Sequence, residues 1–442
     1  MDPLCRVLAL VLILASAAAF GAEAPAAATG PPAPAAGDGE DWPMFRGGPA
    51  HTGVAQDRPA PRDPTFRPEP RPEPRPEPRP APLLPVPWTL PRLAWTFEAG
   101  ETSIESSAAI QGGVVFAATE GGEVIALDLA KGSVRWRRTF EDSGFKSSPA
   151  VAEGLIFLGD DTGLFRALAA ADGKDAWSFK AEGEIISSPT VSGGKVLFGS
   201  YDSHLYCLEA SSGKLLWKLA TEGQVHATPT VADGAALVAG CDGQLRAADM
   251  ATGKELVRTD MGGYSGGTPA VEGDLAYVGT FNNQVIALDW RKGRLLWTFE
   301  DPERQFPFYA SPALASDRVI IAGRDKSVRA LRRDDGRQIW IFSARARIDS
   351  SPAIRGDTVF IGSSDGELYA LSLDKGEKRW NFTAGAPITA SPAIASGRLV
   401  VGDGDGKIRC FDLRPEDPRG KPQGQGPAPA LPGGAPAPSE KR

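Results

Sequence analysis

The chain has 442 residues, with 48 Lys and Arg against 55 Asp and Glu, a formal charge of −7, and 8% aromatic residues. This mildly acidic balance, with no basic run beside aromatics, excludes a nucleic-acid surface. The length exceeds the usual single-domain size, so the chain is either several domains or a repeat array that grows by adding units.

Residues 1–22 carry Arg6, then the apolar run Val7 to Leu14 and an Ala-rich end. That core is too short to span a bilayer, so it reads as a secretory signal peptide cleaved between Ala19 and Ala24, an uncleaved anchor being the alternative. The chain is therefore expected to be exported: periplasmic, envelope-associated or secreted, with no integral membrane segment once the leader is gone. Residues 23–40 are Ala/Pro-rich and read as disordered. An island of order signals follows at 41–57, and here Trp42, Phe45 and Arg46 are expected to dock on one end of the folded domain. Residues 58–87 contain Arg-Pro-Glu-Pro in tandem. Proline at alternate positions enforces polyproline II, which at ~3.1 Å per residue reaches on the order of 90 Å. The stretch reads as a stiff spacer, a ligand for a proline-binding groove being the alternative.

From residue 93 to 413 one pattern recurs. Ala108, Pro149, Pro189, Pro229, Pro269, Pro312, Pro352 and Pro392 are spaced by 41, 40, 40, 40, 43, 40 and 40 residues, giving eight copies. A period near forty with several short strands per copy is the signature of a radial β array. Within each copy a short segment of small residues opens at the proline, as an inner edge strand allows. A nearly continuous apolar run follows, such as Leu155 to Leu158 or Val319 to Ala322, which implies a strand covered on both faces. Turns such as Asp242-Gly243, Asn282-Asn283 and Asp405-Gly406 supply residues that tolerate positive φ. A third strand, a glycine turn (Gly132, Gly173, Gly213, Gly253, Gly293, Gly336, Gly376) and a fourth strand complete the copy. The fourth strands carry Trp136, Trp177, Trp217, Trp297, Trp340 and Trp380, with Val257 as the exception. The eighth copy ends at Leu413 without this strand, and Trp95 in the segment Leu93–Phe97 supplies it. The fold class is thus all-β: an eight-bladed β-propeller of four-stranded antiparallel blades, closed by an N-terminal strand that completes the last blade. Residues 414–442 read as a disordered tail.

The motif Ala126-Leu127-Asp128, Gly132, Trp136, repeated as Ala287-Leu288-Asp289, Gly293, Trp297, resembles the tryptophan-docking repeat of the pyrroloquinoline-quinone (PQQ)-like propellers. That family includes quinone-dependent alcohol and glucose dehydrogenases. It also includes non-catalytic members such as the propeller lipoprotein of the outer-membrane β-barrel assembly machinery. The resemblance implies a girdle of Trp95, Trp136, Trp177, Trp217, Trp297, Trp340 and Trp380 that locks adjacent blades. The segment from Trp42 to Gly53 looks like the lead-in found before such propellers. Cys5 precedes the apolar run, a poor place for lipid attachment, which departs from the lipoprotein members.

A quinone dehydrogenase would hold PQQ with calcium in the channel, and its alcohol-oxidising branch has adjacent cysteines. This chain has no Cys-Cys pair and no long inserts, so no cofactor is expected; PQQ with calcium is the alternative. Cys207, Cys241 and Cys410 are expected to be free thiols, a 207–241 bridge being the alternative. The acidic turn 402–406 reads as a hairpin rather than a calcium loop. His51, His204 and His226 lack metal-ligand spacing and are expected at the surface or in turns. A channel-mouth ring is expected three residues before each repeat proline: Glu105, Lys146, Ile186, His226, Gly266, Tyr309, Asp349 and Thr389. The insertion before Pro312 offers Arg304, Phe306, Phe308 and Tyr309 as contact residues for a partner. The loop Met261–Gly267, beside the copy that lacks its tryptophan, is either a weakened seam or a binding loop. The sequence thus favours a monomeric, non-catalytic scaffold that holds another envelope protein or an extended peptide. A quinone- or small-ligand-binding propeller and an extracellular polymer-binding module are the alternatives.

Overall fold

In the computed structural model the described residues are Asp41, Trp42, Phe45, Gly47, Gly48, His51 and 88–415. The leader, residues 23–40, Arg46, the Pro-rich stretch 58–87 and the tail beyond 415 lie outside them.

Thirty-two strands, β1 to β32 in chain order, form eight four-stranded antiparallel sheets. Blade 1 consists of β2 (Ala109–Gln111), β3 (Val114–Ala118), β4 (Glu123–Asp128) and β5 (Val134–Thr139), running from the channel to the rim. Blades 2 to 7 repeat this order. Blade 8 has β30 (Ala393–Ala395), β31 (Arg398–Gly402) and β32 (Lys407–Asp412), and its outer strand is β1 (Arg92–Glu98). The ladder pairs Arg92 with Asp412 and Glu98 with Lys407, so the chain's two ends close the ring.

The second strands are buried on both faces: Ile156, Phe157 and Leu158 are fully enclosed. Each such side chain contributes about 1.5–3 kcal/mol on leaving water. The hairpins after them carry one left-handed residue rather than two, as at Gly122, Gly243 and Asn283. Each is a type I turn with a single φ > 0 position closing it.

Two rings lock the blades. At the rim six of the seven tryptophans reach the next blade, donating the indole N–H to a carbonyl: Trp95 to Leu129 (2.9 Å), Trp136 to Ala170 (2.9 Å), Trp177 to Ala210 (3.0 Å), Trp217 to Met250 (3.2 Å), Trp297 to Arg333 (2.8 Å) and Trp340 to Leu373 (3.0 Å), while Trp380 packs edge-on against Phe411. The turn glycine of the next blade lies under the indole. A Cβ at Gly253 or Gly336 would fall 2.6 Å from the ring of Trp217 or Trp297. Cys207 and Cys410 pair with Trp217 and Trp95 across the ladder, where the other blades place alanine. Both are buried free thiols, and burial pushes each up to about 12.

At the channel the residue before each repeat proline is Ser or Thr, and its side-chain oxygen accepts the backbone N–H of its counterpart in the preceding blade. The chain of bonds runs Ser107, Ser148, Ser188, Thr228, Thr268, Ser311, Ser351, Ser391 and back to Ser107, at 2.9–3.3 Å. A closed hydrogen-bonded circle therefore satisfies donors that an edge strand would leave bare. In all but the first blade the next residue is proline, which has no N–H to satisfy.

Blade 4 departs from the girdle. Val257 takes the tryptophan's place over Gly293, where a Cβ would lie 3.0 Å away. In blade 5 Trp290 enters the seam instead: it is buried, shares a hydrophobic cluster with Val257, and donates its indole N–H to Gly273 O at 2.9 Å. Arg291 lies over the Trp290 ring and bridges Asp233 of blade 4 and Asp274 of blade 5. The seam is rebuilt from the opposite side.

Candidate functional site

The lead-in segment crosses one end of the channel. Trp42, 2% exposed, exchanges two backbone hydrogen bonds with Ile110 in blade 1. His51 lies across the channel, fully buried, its Nε2 within 2.8 Å of Thr190 Oγ1 and 3.0 Å of Pro229 O, its Nδ1 within 2.7 Å of Phe45 O. Phe45 is half-buried beside His51. The surface or turn position expected for His51 is corrected: its Nε2 finds partners on the inner strands of blades 3 and 4, while the lead-in's own Phe45 carbonyl holds Nδ1. Trp88 is also fixed to the ring, beneath Arg379, and Thr89 Oγ1 donates to Leu413 O. His51 and Trp88, the described residues on either side of 52–87, both contact the propeller, and the expected spacer at 58–87 lies outside the described residues.

The loops that hold Glu105, Lys146, Ile186, His226, Gly266, Tyr309, Asp349 and Thr389 are hydrogen-bonded to the turns of the blades they enter, which adds two more sets of residues. The turn residues Glu120, Asp161, Tyr201, Cys241, Phe281, Arg324, Ser364 and Gly404 each donate a backbone N–H to the loop before them. Their acceptors are Ser103, Gly144, Glu184, Gln224, Tyr264, Pro307, Arg347 and Pro387. These three sets occupy equivalent places in eight alike blades, yet their chemistry differs by sector. Blades 1 and 2 present Glu105, Glu120, Lys146 and Asp161. Blades 3 to 6 present Tyr201, His226, Tyr264, Phe281 and Tyr309. Blades 6 and 7 present Arg324, Arg347 and Asp349.

The aromatic sector is a bonded unit. Tyr201 Oη lies 2.7 Å from His226 Nδ1, and Tyr309 Oη lies 2.7 Å from His226 Nε2. Burial, with Lys146 and Arg324 nearby, pushes the His226 imidazole down to about 4. The ring is therefore neutral near pH 7; it accepts from one phenol and donates to the other. Burial, reinforced by Tyr201, pushes Tyr309 up to about 12. Tyr309 reaches from blade 6 to blade 4 because Gly266 intervenes, where a Cβ would lie 3.2 Å from both His226 and Phe281. One face of Tyr309 stacks on Phe281 at 5.7 Å, and the Arg324 guanidinium lies 4.4 Å from its centroid. Arg324 Nε bonds Asp349 at 2.6 Å, and Arg347 approaches the same carboxylate at 3.3 Å. Across the mouth, burial and the neighbouring Glu120 raise the Glu105 carboxyl, while Lys146 opposes them.

Of the insertion residues, Phe306 is 52% exposed and Arg304 half-exposed, close to Ser343. Phe308 is corrected: it is 1% exposed and packs with Val285, Ile321 and Leu331. It occupies the slot filled by Ile104, Phe145, Ile185, Val225, Ile348 and Ile388 in other copies, against the glycine that ends a second strand; a Cβ on Gly279 would meet it at 2.7 Å. That recurring apolar slot was the signal that separated Phe308 from its neighbours. In the Met261–Gly267 loop, Met261 is buried and Tyr264 is 58% exposed.

Asp403 of the acidic turn accepts the N–H groups of Asp405 and Lys407 and pairs with Arg409, as a hairpin requires. Among the described residues no three of His, Cys, Asp and Glu come together as a metal site, and no helix is long and apolar enough to cross a membrane. Cys241 is a half-buried free thiol. A shallow cleft of about 580 Å³ at the closure seam, lined by Glu98, Glu101, Asp405 and Lys407, lies apart from the aromatic unit.

Comparison with solved structures places the fold. BamB from Moraxella catarrhalis is 20% identical, with a TM-score of 0.65 over 74% of this chain and 99% of its own. A quinohemoprotein alcohol dehydrogenase from Comamonas testosteroni is 15% identical, with a TM-score of 0.68 over 88% of this chain and 83% of its own. A computationally designed protein, Ika8, is 16% identical, with a TM-score of 0.65 over 73% of this chain and 100% of its own. At these identities the likeness is one of fold. No curated protein matches the chain. The sequence profile described as outer membrane protein assembly factor BamB matches residues 91–188, 166–256, 236–341 and 324–415, and the chain belongs to that family of PQQ-like propeller repeats.

Proposed function

We infer that this chain is an exported, non-catalytic scaffold that holds another envelope protein, or an extended peptide from one, on the mouth face of its propeller. The observation that carries this reading is the contrast between eight alike blades and a mouth whose residues differ sector by sector. Rigid scaffolds with diversified loops are how binding surfaces are built. Membership of the assembly-factor family supports a role in outer-membrane protein assembly. The leader read from residues 1–22 supports a periplasmic or envelope location.

The fold likeness to the alcohol dehydrogenase favours a second reading, a quinone-binding propeller. The residues at the mouth do not fit that cofactor. The Tyr309 ring is already covered by Phe281 and Arg324, and both His226 nitrogens are engaged by phenols.

Cross-linking in the native envelope, followed by identification of the linked peptides, tests the scaffold. Links from the mouth face to one envelope protein are expected; links scattered over the whole disc would overturn it. Calorimetry with PQQ and calcium tests the alternative, and stoichiometric binding would replace the scaffold reading.

A further inference from the structure

The scaffold reading leaves the partner's chemistry open, and the mouth face narrows it. Tyr264 and Phe306 stand exposed on the loops entering blades 5 and 6. They are joined through the site: Phe281 donates its N–H to Tyr264 O, stacks on Tyr309 and lies opposite Arg324, which donates its N–H to Pro307 O beside Phe306. Aromatics rimmed by arginine on a rigid support are the composition of interface centres.

The adjoining rim of blades 6 and 7 is charged asymmetrically with depth. Arg345 and Arg347 expose 70% and 59% of their side chains, whereas the carboxylates they pair with, Glu367, Asp365 and Asp349, expose 7%, 6% and 10%. The negative charges are drawn inward and the guanidiniums stand outward. Arg304, beside Ser343, and the exposed Lys326 have no carboxylate within pairing distance among the described residues. Among the outward-facing charges of this rim, Arg304, Lys326, Arg345 and Arg347 outnumber the exposed Glu303, a local positive excess on a chain that is acidic as a whole.

Resting on the scaffold reading, we propose that the mouth face over blades 5 to 7 docks an extended peptide segment bearing one aromatic side chain followed by carboxylates. The aromatic packs against Tyr264 and Phe306, and the carboxylates pair with Arg304, Arg345 and Arg347. Charge complementarity selects this occupant over a basic segment, and the aromatic anchor selects it over a simple polyanion.

Fluorescence anisotropy with the full chain tests this, using a labelled peptide Gly-Ser-Phe-Asp-Glu-Asp-Gly. The controls are the same peptide with Phe replaced by Ala, and with its acids replaced by Lys and Arg. The parent peptide is expected to bind, more weakly at high salt, and each control to lose about tenfold or more. Arg304→Glu with Arg347→Glu should abolish binding of the parent and confer binding of the basic peptide. Tyr264→Ser with Phe306→Ser should abolish binding of the parent, with an unchanged melting temperature. Equal binding of the Ala control, competition by an anionic oligosaccharide at equal charge concentration, or a self-associating chain dissociated by the aromatic variant would overturn the proposal. Localised cross-links to an envelope protein together with any of these would leave the scaffold standing and remove only this partner chemistry.

Discussion

The two inner features of the disc, a few residues apart in every copy, behave in opposite ways. Ser107 and its seven counterparts are hydroxyl residues at every position, while Glu105 and its counterparts are eight different residues in the mouth. The first set closes a circle, so each member must both donate and accept within it. The second bonds outward or sideways and is released from that symmetry. Where closure constrains a residue the copies agree, and where it does not they have diverged into sectors.

Substitutions in the girdle give the largest test of this contrast. Trp217→Ala empties a nearly buried slot and removes the bond to Met250, so a loss of about 3–5 kcal/mol is expected in urea unfolding. Trp290→Ala should cost as much if the seam between blades 4 and 5 is rebuilt as described; a loss below about 1 kcal/mol would show that seam to be merely weak. Gly253→Ala should cost about 2–3 kcal/mol, because the new methyl meets the Trp217 ring at a left-handed φ. Gly293→Ala, facing Val257 and Thr259 in place of an indole, should cost nearer about 1 kcal/mol.

The mouth is expected to respond to acid. An unfolded imidazole titrates near 6.5, and His226 in the fold titrates at about 4. Between these values the unfolded chain binds the extra proton, so this stability is complete above the higher value and is lost as pH falls toward the lower. About 2 kcal/mol should disappear between pH 7 and pH 5, and His226→Gln should flatten that slope. An equal slope in the variant would assign the effect elsewhere. Ser188→Ala removes the hydroxyl that accepts the N–H of Ser148 and should cost about 1–2 kcal/mol. Phe306→Ala, at an exposed position, should change stability by less than about 0.5 kcal/mol.

The repeat, the blade order, the closing strand and the tryptophan girdle were legible because each is written many times over in the chain. What was missed lies between copies. Trp290 occupies a slot where other blades have Leu129, Ala170, Ala210 or Met250, and its role depends on a valine one blade away. The Tyr201–His226–Tyr309 unit joins three blades across a glycine, so no local pattern announces it. His51 acquires its partners only where the ring brings Thr190 and Pro229 together. Phe308 shares its loop with Phe306 and Tyr309 but sits in the recurring apolar slot against Gly279, a difference that three adjacent aromatics conceal.

The closing ladder has a mechanical consequence. Arg92 at the start of β1 faces Asp412 at the end of β32, so both chain directions leave the seam from the same side. Tension between the termini first meets the two bonds joining Trp42 to Ile110. Behind them stand His51 on Thr190 and Pro229 and Thr89 on Leu413, and once these too give way the load reaches a ladder oriented to peel, its bonds failing in succession rather than in shear. The lead-in segment is thus a strain relief for the one joint in the disc that can unzip.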